Sequence, residues 1–247
     1  DAQESRGLGD VYKRQELARG FEAALEPVEK LRTELAHSAS AVQIFAATLE
    51  EDIRNAQRNL QSLDSAACDQ AVEAILAAER VFIIGFGASG FLAGLLQRGL
   101  CMHLHSVESL AGPGGVSHAA RQMSRMTSKD LVIAIGFPRY LADTVTLAGA
   151  AQQAGGPVLV LTDKPTSPLG PSASVVLYAF SARQLIPNSE TAALGLIEAL
   201  SDAVAYRAKN SVAAAAGVTQ SVMPWLIHGA VSYTHLRAHE TTEHLVC

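Results

Sequence analysis

The sequence has few cysteines and no long apolar run. Its 247 residues include three cysteines, Cys68, Cys101 and Cys247, with no CxxC pair and no spacing typical of a disulfide framework. Such cysteine usage is typical of the reducing cytoplasm. No apolar stretch reaches the roughly 18 residues that a membrane span needs, and no signal peptide opens the chain. We therefore expect a cytoplasmic protein without a membrane span.

Positive charge is also in short supply. The chain carries 19 Lys and Arg against 24 Asp and Glu, a net charge of −5. Nucleic-acid binding requires a basic footprint, and the composition provides none. With 49% hydrophobic and 17% charged residues, the chain has the composition of a globular protein that buries one good core.

Both ends of the chain differ in character from its middle. Residues 1–15 contain a stretch that resembles translated read-through of a sequencing adapter, and residues 231–247 begin with one that resembles its partner at the other end of such reads. We expect both segments to be artefact tails and exclude them from the fold. Residues 16–230 then keep 15 basic against 19 acidic residues, a net charge of −4.

A cluster of histidines in the C-terminal tail suggests a metal site at first sight. His235 and His239 are four residues apart, and His244 follows with acidic neighbours. The spacing of the last two is one residue too long for the H-E-x-x-H zinc motif. Because the segment belongs to an excluded tail, no metal site is predicted.

A long amphipathic helix is predicted ahead of the central part of the chain. From residue 41 to 63, apolar residues recur at three- and four-residue steps over about six turns. The stretch Ser62-Leu63-Asp64-Ser65 ends this helix and caps the next one, predicted over 66–78. A helix of this length packs on its own domain or on a second subunit, so we expect a homodimer or tetramer through it or through the last helix.

From residue 81 onward, apolar runs alternate with helical patterns. Strands are predicted at 81–84, about 103–107, 131–135, 158–161 and 175–178. Helices are predicted at 88–98, about 116–126, 141–154 and 189–209. This alternation predicts an α/β fold with a five-stranded parallel sheet and helices on both faces. Ligands bind such sheets beyond the carboxyl ends of the strands.

The turn after the first strand is rich in glycine. Four apolar residues are followed by Gly85-Phe86-Gly87-Ala88-Ser89-Gly90 and then by an apolar, helix-compatible run. Free N–H groups and the positive end of the helix dipole favour an anion in such a turn. We therefore predict that Gly87, Ala88 and Ser89 bind phosphate, with the Ser89 hydroxyl adding a donor.

Two other interpretations of this turn stay open. The glycines alone are compatible with tight packing and no ligand. They also spell the G-x-G-x-x-G of a dinucleotide site, which requires an acidic residue about 20 positions on. Glu108 is near enough to fill that role.

The turns after the third and fourth strands contain further candidates. Arg139 is either a planar donor fork for phosphate or a solvated surface arginine. Thr144 offers a hydroxyl in the first turns of the next helix. Asp163 is either a sugar contact or ordinary turn chemistry. His103 and His105 alternate on the second predicted strand and are assigned to packing. His118 is a weak candidate for a polar contact.

Taken together, the three turns resemble a known family. Residues 82–89 resemble the first phosphate turn of a sugar isomerase (SIS) domain. Residues 135–145, together with Leu161-Thr162-Asp163 and Ser167-Pro168-Leu169, resemble the RpiR family of transcription regulators. Those proteins join an N-terminal helix-turn-helix domain to a SIS domain that senses a sugar phosphate.

The resemblance carries expectations about fold, domains and ligand. It implies a flavodoxin-like three-layer α-β-α sandwich over 65–230, preceded over 16–64 by the remnant of a helix-turn-helix domain and a helical linker. The implied effector is a phosphorylated sugar or amino sugar, and DNA is contacted only through the missing N-terminal part. Two departures stand out, since the family usually has serine at Gly136 and often a hydroxyl residue at Leu141. Their loss removes hydrogen bonds to phosphate worth about 1.5–3 kcal/mol each.

Three functions remain at the level of sequence. The first is an effector-sensing domain with no catalytic residues and no cofactor, in which Glu190 contacts the ligand. The second is a phosphosugar isomerase, which needs a base, Glu190 first and His118 second. An acid in a first helical turn is equally explained by the helix dipole. The third is an enzyme that uses a nicotinamide cofactor. It depends on the glycine motif with Glu108 and has no support from the turns after the third and fourth strands.

Overall fold

The structure is a computed structural model that describes residues 39–183 and 188–225. The predicted tails and most of the helix-turn-helix remnant lie outside the described residues. Seven α-helices occur in the described part of the chain: α1 (Ala41–Gln61), α2 (Ser65–Ala77), α3 (Ala88–Leu100), α4 (Gly115–Met123), α5 (Ala142–Gln153), α6 (Glu190–Arg207) and α7 (Ser211–Val222). The strands are β1 (Val81–Ile84), β2 (Val107–Ser109), β3 (Leu131–Ile135), β4 (Val158–Thr162) and β5 (Val175–Tyr178).

The five strands form one parallel sheet in the order β2-β1-β3-β4-β5. Along β3 the side chains alternate between two cores, with Leu131, Ile133 and Ile135 on one face and Val132 and Ala134 on the other. All five are buried because both faces of the sheet are covered. The predicted parallel sheet is confirmed.

Helices cover the two faces of the sheet unequally. The core on one face draws side chains from α2, α3 and α6, and the core on the other face draws them from α4, α5 and Leu169 beside a short 3₁₀ turn. This arrangement is the three-layer α-β-α sandwich that the resemblance implied. Strands β1 and β3 lie at the centre, so the turns that follow them meet at one edge.

One strand was predicted in the wrong place. The second strand is Val107–Ser109, and His103 and His105 lie in the turn that precedes it. Helix α3 continues to Leu100, and the amides of His103 and Leu104 bond back to the carbonyl of Leu100, so these residues form a turn and no strand. β2 is a three-residue edge strand whose position is set by pairing with β1, where Val107 lies opposite Val81. Helix α7 was not predicted at all.

Helix α1 was predicted correctly as a helix, and its ends are capped by local chemistry. Ser40 and Gln43 form a capping box at its start, and Asp64 caps α2 by accepting a hydrogen bond from the amide of Ala67. The apolar side of α1 does not pack on the domain, since residues Phe45 and Leu49 are 71% and 60% exposed. Among the described residues, no helix is long and apolar enough to cross a membrane.

An ion pair ties the amino ends of β1 and β3 together, at the edge opposite the carboxyl ends. Asp130 is buried and accepts from Nε and Nη2 of Arg80 at 2.8 and 2.7 Å, and from the amide of Thr127. We expect Asp130→Asn to lower the free energy of unfolding by about 1–3 kcal/mol at pH 7, because bonds to a buried charge are lost. Urea denaturation measures this loss.

The same pair gives a pH dependence with a definite sign. The hydrogen bonds from Arg80, opposed by burial, hold the pKa of Asp130 below its usual value. Because the pKa of Asp130 is lower in the folded than in the unfolded state, its ionised form stabilises the protein above about pH 4. This stabilisation is lost as the pH falls through the folded-state pKa. The stability difference between wild type and Asp130→Asn should therefore shrink below pH 4. A difference that is the same at pH 7 and pH 2.5 would contradict the assignment.

Candidate functional site

A cavity of about 550 Å³ opens at the carboxyl edge of the sheet. Three segments form its walls: the turn after β1, the turn after β3 and the start of α6. The lining residues are Phe86, Gly87, Ala88, Ser89, Leu92, Phe137, Pro138, Arg139, Leu141, Asn188, Ser189, Glu190 and Ala193. Its volume lies in the range of small-molecule sites.

The turn after β1 requires glycine for two separate reasons. A Cβ at Gly85 would lie 3.0–3.1 Å from the backbone oxygens of Ser89 and Ile135, so tight packing explains this glycine. Gly87 has φ 63° and is the N-cap of α3, with no side chain bonded to the end of the helix. The amides of Ala88 and Ser89, in the first turn, therefore remain available to a ligand at the cavity wall.

Three helix N-termini meet at the cavity. The N-caps of α3, α5 and α6 are Gly87, Leu141 and Ser189, and all three line it. Their positive dipole ends favour an anion. The α6 end already carries Glu190 in its first turn and Asp52 hydrogen-bonded to Ser189. The α5 end also carries an acid, Asp143, in its first turn. The field left for an anion is consequently strongest beside α3, whose first turn contains no acid.

Arg139 has an unusual backbone at the cavity wall. It is the only non-glycine residue with positive φ (62°) in the described part of the chain. Neighbouring contacts hold it there, since Asn188 Nδ2 donates to the carbonyl of Pro138 at 3.2 Å and the Tyr140 hydroxyl donates to Asp163 Oδ1. Its side chain is exposed and pairs with no carboxylate of the described residues. Strain of this kind is characteristic of functional sites.

A buried polar network supports this turn from below. Thr162 Oγ1 donates to the carbonyl of Gly136 at 2.7 Å and lies 2.8 Å from Ser167 Oγ. Asp163 is buried and accepts from Tyr140, and burial together with that carboxylate raises the pKa of Tyr140. Asp163 does not line the cavity, so its role is to hold the turn.

Five of the six predicted ligand residues come together in this cavity. Gly87, Ala88, Ser89, Arg139 and Glu190 all line it. Thr144 does not: it is 3% exposed within the first turn of α5. A ligand role for Thr144 therefore remains a prediction from sequence without support from its position.

The other candidates lie elsewhere. Nε2 of His118, on α4, is 3.9 Å from Oε1 of Glu108 on β2, and neither residue lines the cavity. The position of Glu108 weakens the dinucleotide interpretation.

Sequence reasoning missed Phe137, Asn188 and Ser189 in the cavity wall. The last two immediately precede Glu190, so the start of α6 held the signal that would have found them.

Gly136 and Leu141, the two departures from the family pattern, make the cavity wall less polar. A Cβ at Gly136 would lie 2.6 Å from Leu169 Cδ1, so a serine there requires Leu169 to move. Leu141 lines the cavity, and its Cδ1 lies 3.2 Å from the position a Cβ would take on Gly87. A phosphate in this cavity therefore depends on amides and Arg139 more than on hydroxyls.

Comparison with known proteins identifies relatives of this arrangement. A family model described as SIS domain matches residues 74–202, and no curated protein matches the chain significantly. The sugar isomerase domain of the RpiR transcription factor from Sphaerobacter thermophilus is 28% identical, with a TM-score of 0.65 over 72% of this chain and 97% of that one. The NanR protein of Vibrio vulnificus, complexed with ManNAc-6P, is 21% identical, with a TM-score of 0.68 over 83% and 75% of the two chains. A phosphoheptose isomerase from Neisseria gonorrhoeae is 18% identical, with a TM-score of 0.58 over 67% and 99%.

Proposed function

The chain belongs to the SIS domain family, and on that premise we propose that it is the effector-sensing part of an RpiR-like transcriptional regulator. The proposed effector is a phosphorylated sugar or amino sugar, bound in the cavity between the turns after β1 and β3. Similarity to the RpiR transcription factor and to NanR, itself complexed with ManNAc-6P, supports this proposal.

The observation that carries the proposal is the distribution of charge around the cavity. The free amides of Ala88 and Ser89 at the start of α3 form a cationic side together with Arg139. Glu190 at the start of α6 supplies an acceptor on a different wall. A phosphosugar matches both features: its dianionic phosphate suits the cationic side, and its hydroxyl groups can donate hydrogen bonds to Glu190.

Asn188 adds a second acceptor beside Glu190. Its Oδ1 atom is buried and has no hydrogen-bond partner within the described residues, although its Nδ2 donates to Pro138. Buried polar atoms are rarely left unpaired. A sugar hydroxyl or amide donor of the effector would satisfy it.

Sensing is favoured over catalysis by the ionisable groups of the cavity. Aldose–ketose isomerisation requires a base beside the carbonyl and an acid for ring opening. Among the described residues, the lining contains two charged side chains, Arg139 and Glu190, and no histidine or lysine. The alternative, a phosphosugar isomerase with Glu190 as its base, rests on that single carboxylate.

A homodimer or tetramer and a DNA-binding segment ahead of α1 belong to the same proposal. The exposed apolar side of α1 supports self-association, because Phe45 and Leu49 lie in water in one chain. Light scattering of the full chain tests the oligomer, and a monomer at micromolar concentration would contradict it.

A thermal-shift screen of the full chain tests the ligand. The panel contains phosphorylated sugars, amino-sugar phosphates, their unphosphorylated forms, NAD and NADP. A ligand at a hundred times its Kd adds about 2.7 kcal/mol and should raise Tm by roughly 5–10 °C. We expect a shift with a phosphosugar and none with its free sugar. A shift with nicotinamide cofactors alone would contradict the proposal, and conversion of the bound sugar would establish the isomerase instead.

A further inference from the structure

Helix α1 attaches to the domain through a polar face. Asp52, Asn55 and Asn59 are spaced by three and four residues and therefore share one side of the helix. Asn59 Oδ1 accepts from the amide of Phe180 at 2.7 Å, and Asn55 Nδ2 donates to the carbonyl of Ala182 at 2.9 Å. These partners lie in the segment that leads from β5 to α6.

Asp52 reaches further along the same segment, to the cavity wall. It accepts hydrogen bonds from Ser189 Oγ and, at 2.5 Å, from Arg183 Nη2. Ser189 is the N-cap of α6, yet its hydroxyl is directed to α1 and caps no amide of its own helix. The orientation of this cavity residue is thus set by a side chain 137 positions away in sequence.

The contact continues from Ser189 to the strained turn. Asn188, the adjacent residue, donates to the carbonyl of Pro138, which directly precedes Arg139. A chain of hydrogen bonds and one peptide unit therefore joins Asp52 to two of the three segments that form the cavity, the start of α6 and the turn after β3. Asp52 itself lies outside residues 74–202, the segment that the family model matches.

The attachment of α1 is weak enough to respond to a ligand. Asn55 is its only buried residue, and its apolar side chains are exposed. Hydrogen bonds each make a modest net contribution compared with the burial of an apolar face. The docked position of α1 is consequently sensitive to any change at Asp52, Asn55 or Asn59.

We propose that Asp52 is a positioning residue of the ligand cavity, and that its bonds to Ser189 and Arg183 couple occupancy of the cavity to the docking of α1. The inference rests on the proposed function for the identity of the ligand class. A ligand that binds better when the start of α6 is ordered strengthens the docking of α1 on the domain. By thermodynamic linkage, the docking of α1 raises the affinity of the cavity for that ligand by the same factor. Because α1 leads toward the N-terminal part of the chain, this coupling is a route for the effector signal.

Hydrogen exchange of the full chain without ligand tests the positioning role directly. We expect Asp52→Asn to accelerate amide exchange at least fivefold in α1, in residues 189–193 and in residues 139–145, where the amides of Thr144 and Val145 bond the carbonyl of Leu141. Strands β3 and β4 should keep their protection. Asn59→Ala is the matched control, because it removes an α1 contact that does not involve Ser189. It should accelerate exchange in α1 and at the amide of Phe180, and leave residues 189–193 unchanged.

Two outcomes of this experiment would overturn the inference. In one, Asp52→Asn changes exchange in α1 only, which would make Asp52 a simple anchor. In the other, Asn59→Ala loosens the cavity as much as Asp52→Asn does, which would make the effect a general loosening. A double-mutant cycle with Ser189→Ala measures the coupling between the two residues. If they act through their shared hydrogen bond, exchange in residues 189–193 should be little faster in the double variant than in either single variant.

Inorganic phosphate is the probe for the coupling itself. In wild type, phosphate should slow exchange both at residues 88–90 and in α1, and Asp52→Asn should keep the first effect and lose the second. Protection at 88–90 with no response of wild-type α1 would refute the coupling. Absence of protection at 88–90 would count against the phosphate site, and so against the proposed function, while the ligand-free exchange data would still decide the role of Asp52.

Discussion

Replacing Ser89 by glutamate is expected to abolish binding of the phosphosugar found in the screen, with a loss of affinity greater than 100-fold. Ser89 lies in the first turn of α3, half-buried in the cavity wall and beside the free amides. The new carboxylate would occupy the place of the phosphate, repel it, and remove a charge-assisted hydrogen bond worth about 1.5–3 kcal/mol. Calorimetric titration of wild type and variant measures the loss.

The fold of this variant should remain intact or become slightly more stable. An acid in a first helical turn gains about 0.3–1 kcal/mol from the helix dipole. Binding and stability are therefore expected to move in opposite directions, which separates loss of function from unfolding. Ser89→Ala is the control, because it removes only the hydroxyl and should cost about tenfold in affinity. Unchanged affinity in Ser89→Glu would exclude this turn from the site.

Arg139→Gly should also weaken binding while stabilising the protein. The side chain supplies the free guanidinium in the cavity wall, and its loss should lower affinity roughly 10- to 150-fold, the equivalent of about 1.5–3 kcal/mol. The backbone has φ 62°, a conformation that costs an L-residue about 1–2 kcal/mol and costs glycine little. Allowing for the greater freedom of glycine in the unfolded chain, we expect a gain of up to about 1 kcal/mol.

Two matched substitutions separate the side chain from the backbone. Arg139→Ala removes the guanidinium but keeps the strain, so it should lose affinity without the gain in stability. Arg139→Lys keeps the charge and loses the planar fork, so its affinity for the ligand should lie between those of wild type and Arg139→Ala. Urea denaturation and titration of all three variants test both parts. A glycine variant that is less stable than wild type would show that the strain has been misjudged.

Local chemistry explains the parts of the fold that were predicted well. The apolar runs of β1 and β3 contain no polar alternation because both sheet faces are covered, and their bounds agree with the structure to the residue. A cap was predicted within residues 62–65 because capping needs only neighbours in sequence, and in the structure Asp64 provides it. The glycines of the first turn carry the same kind of short-range information, and the turn lies where it was expected, at the cavity.

The errors have a common cause. β2 consists of three half-exposed residues at a sheet edge, and only pairing with β1 decides where it begins. Helix α7 buries none of its residues, so no apolar periodicity marked it. The ligand role of Thr144 is not one of these errors and stays a prediction, although the packing of α5 buries its side chain.

The sequence by itself determined the sandwich, the family and the segments that carry the cavity, because strand burial, helix caps and glycine turns depend on residues close together in the chain. Tertiary structure alone decided which side chains meet. Asp52 and Ser189 are 137 residues apart. The turn in which Arg139 has its positive φ is hydrogen-bonded on one side of Arg139 to Asn188 and on the other to Asp163. Such contacts form between segments that the fold brings together, and no local pattern encodes them.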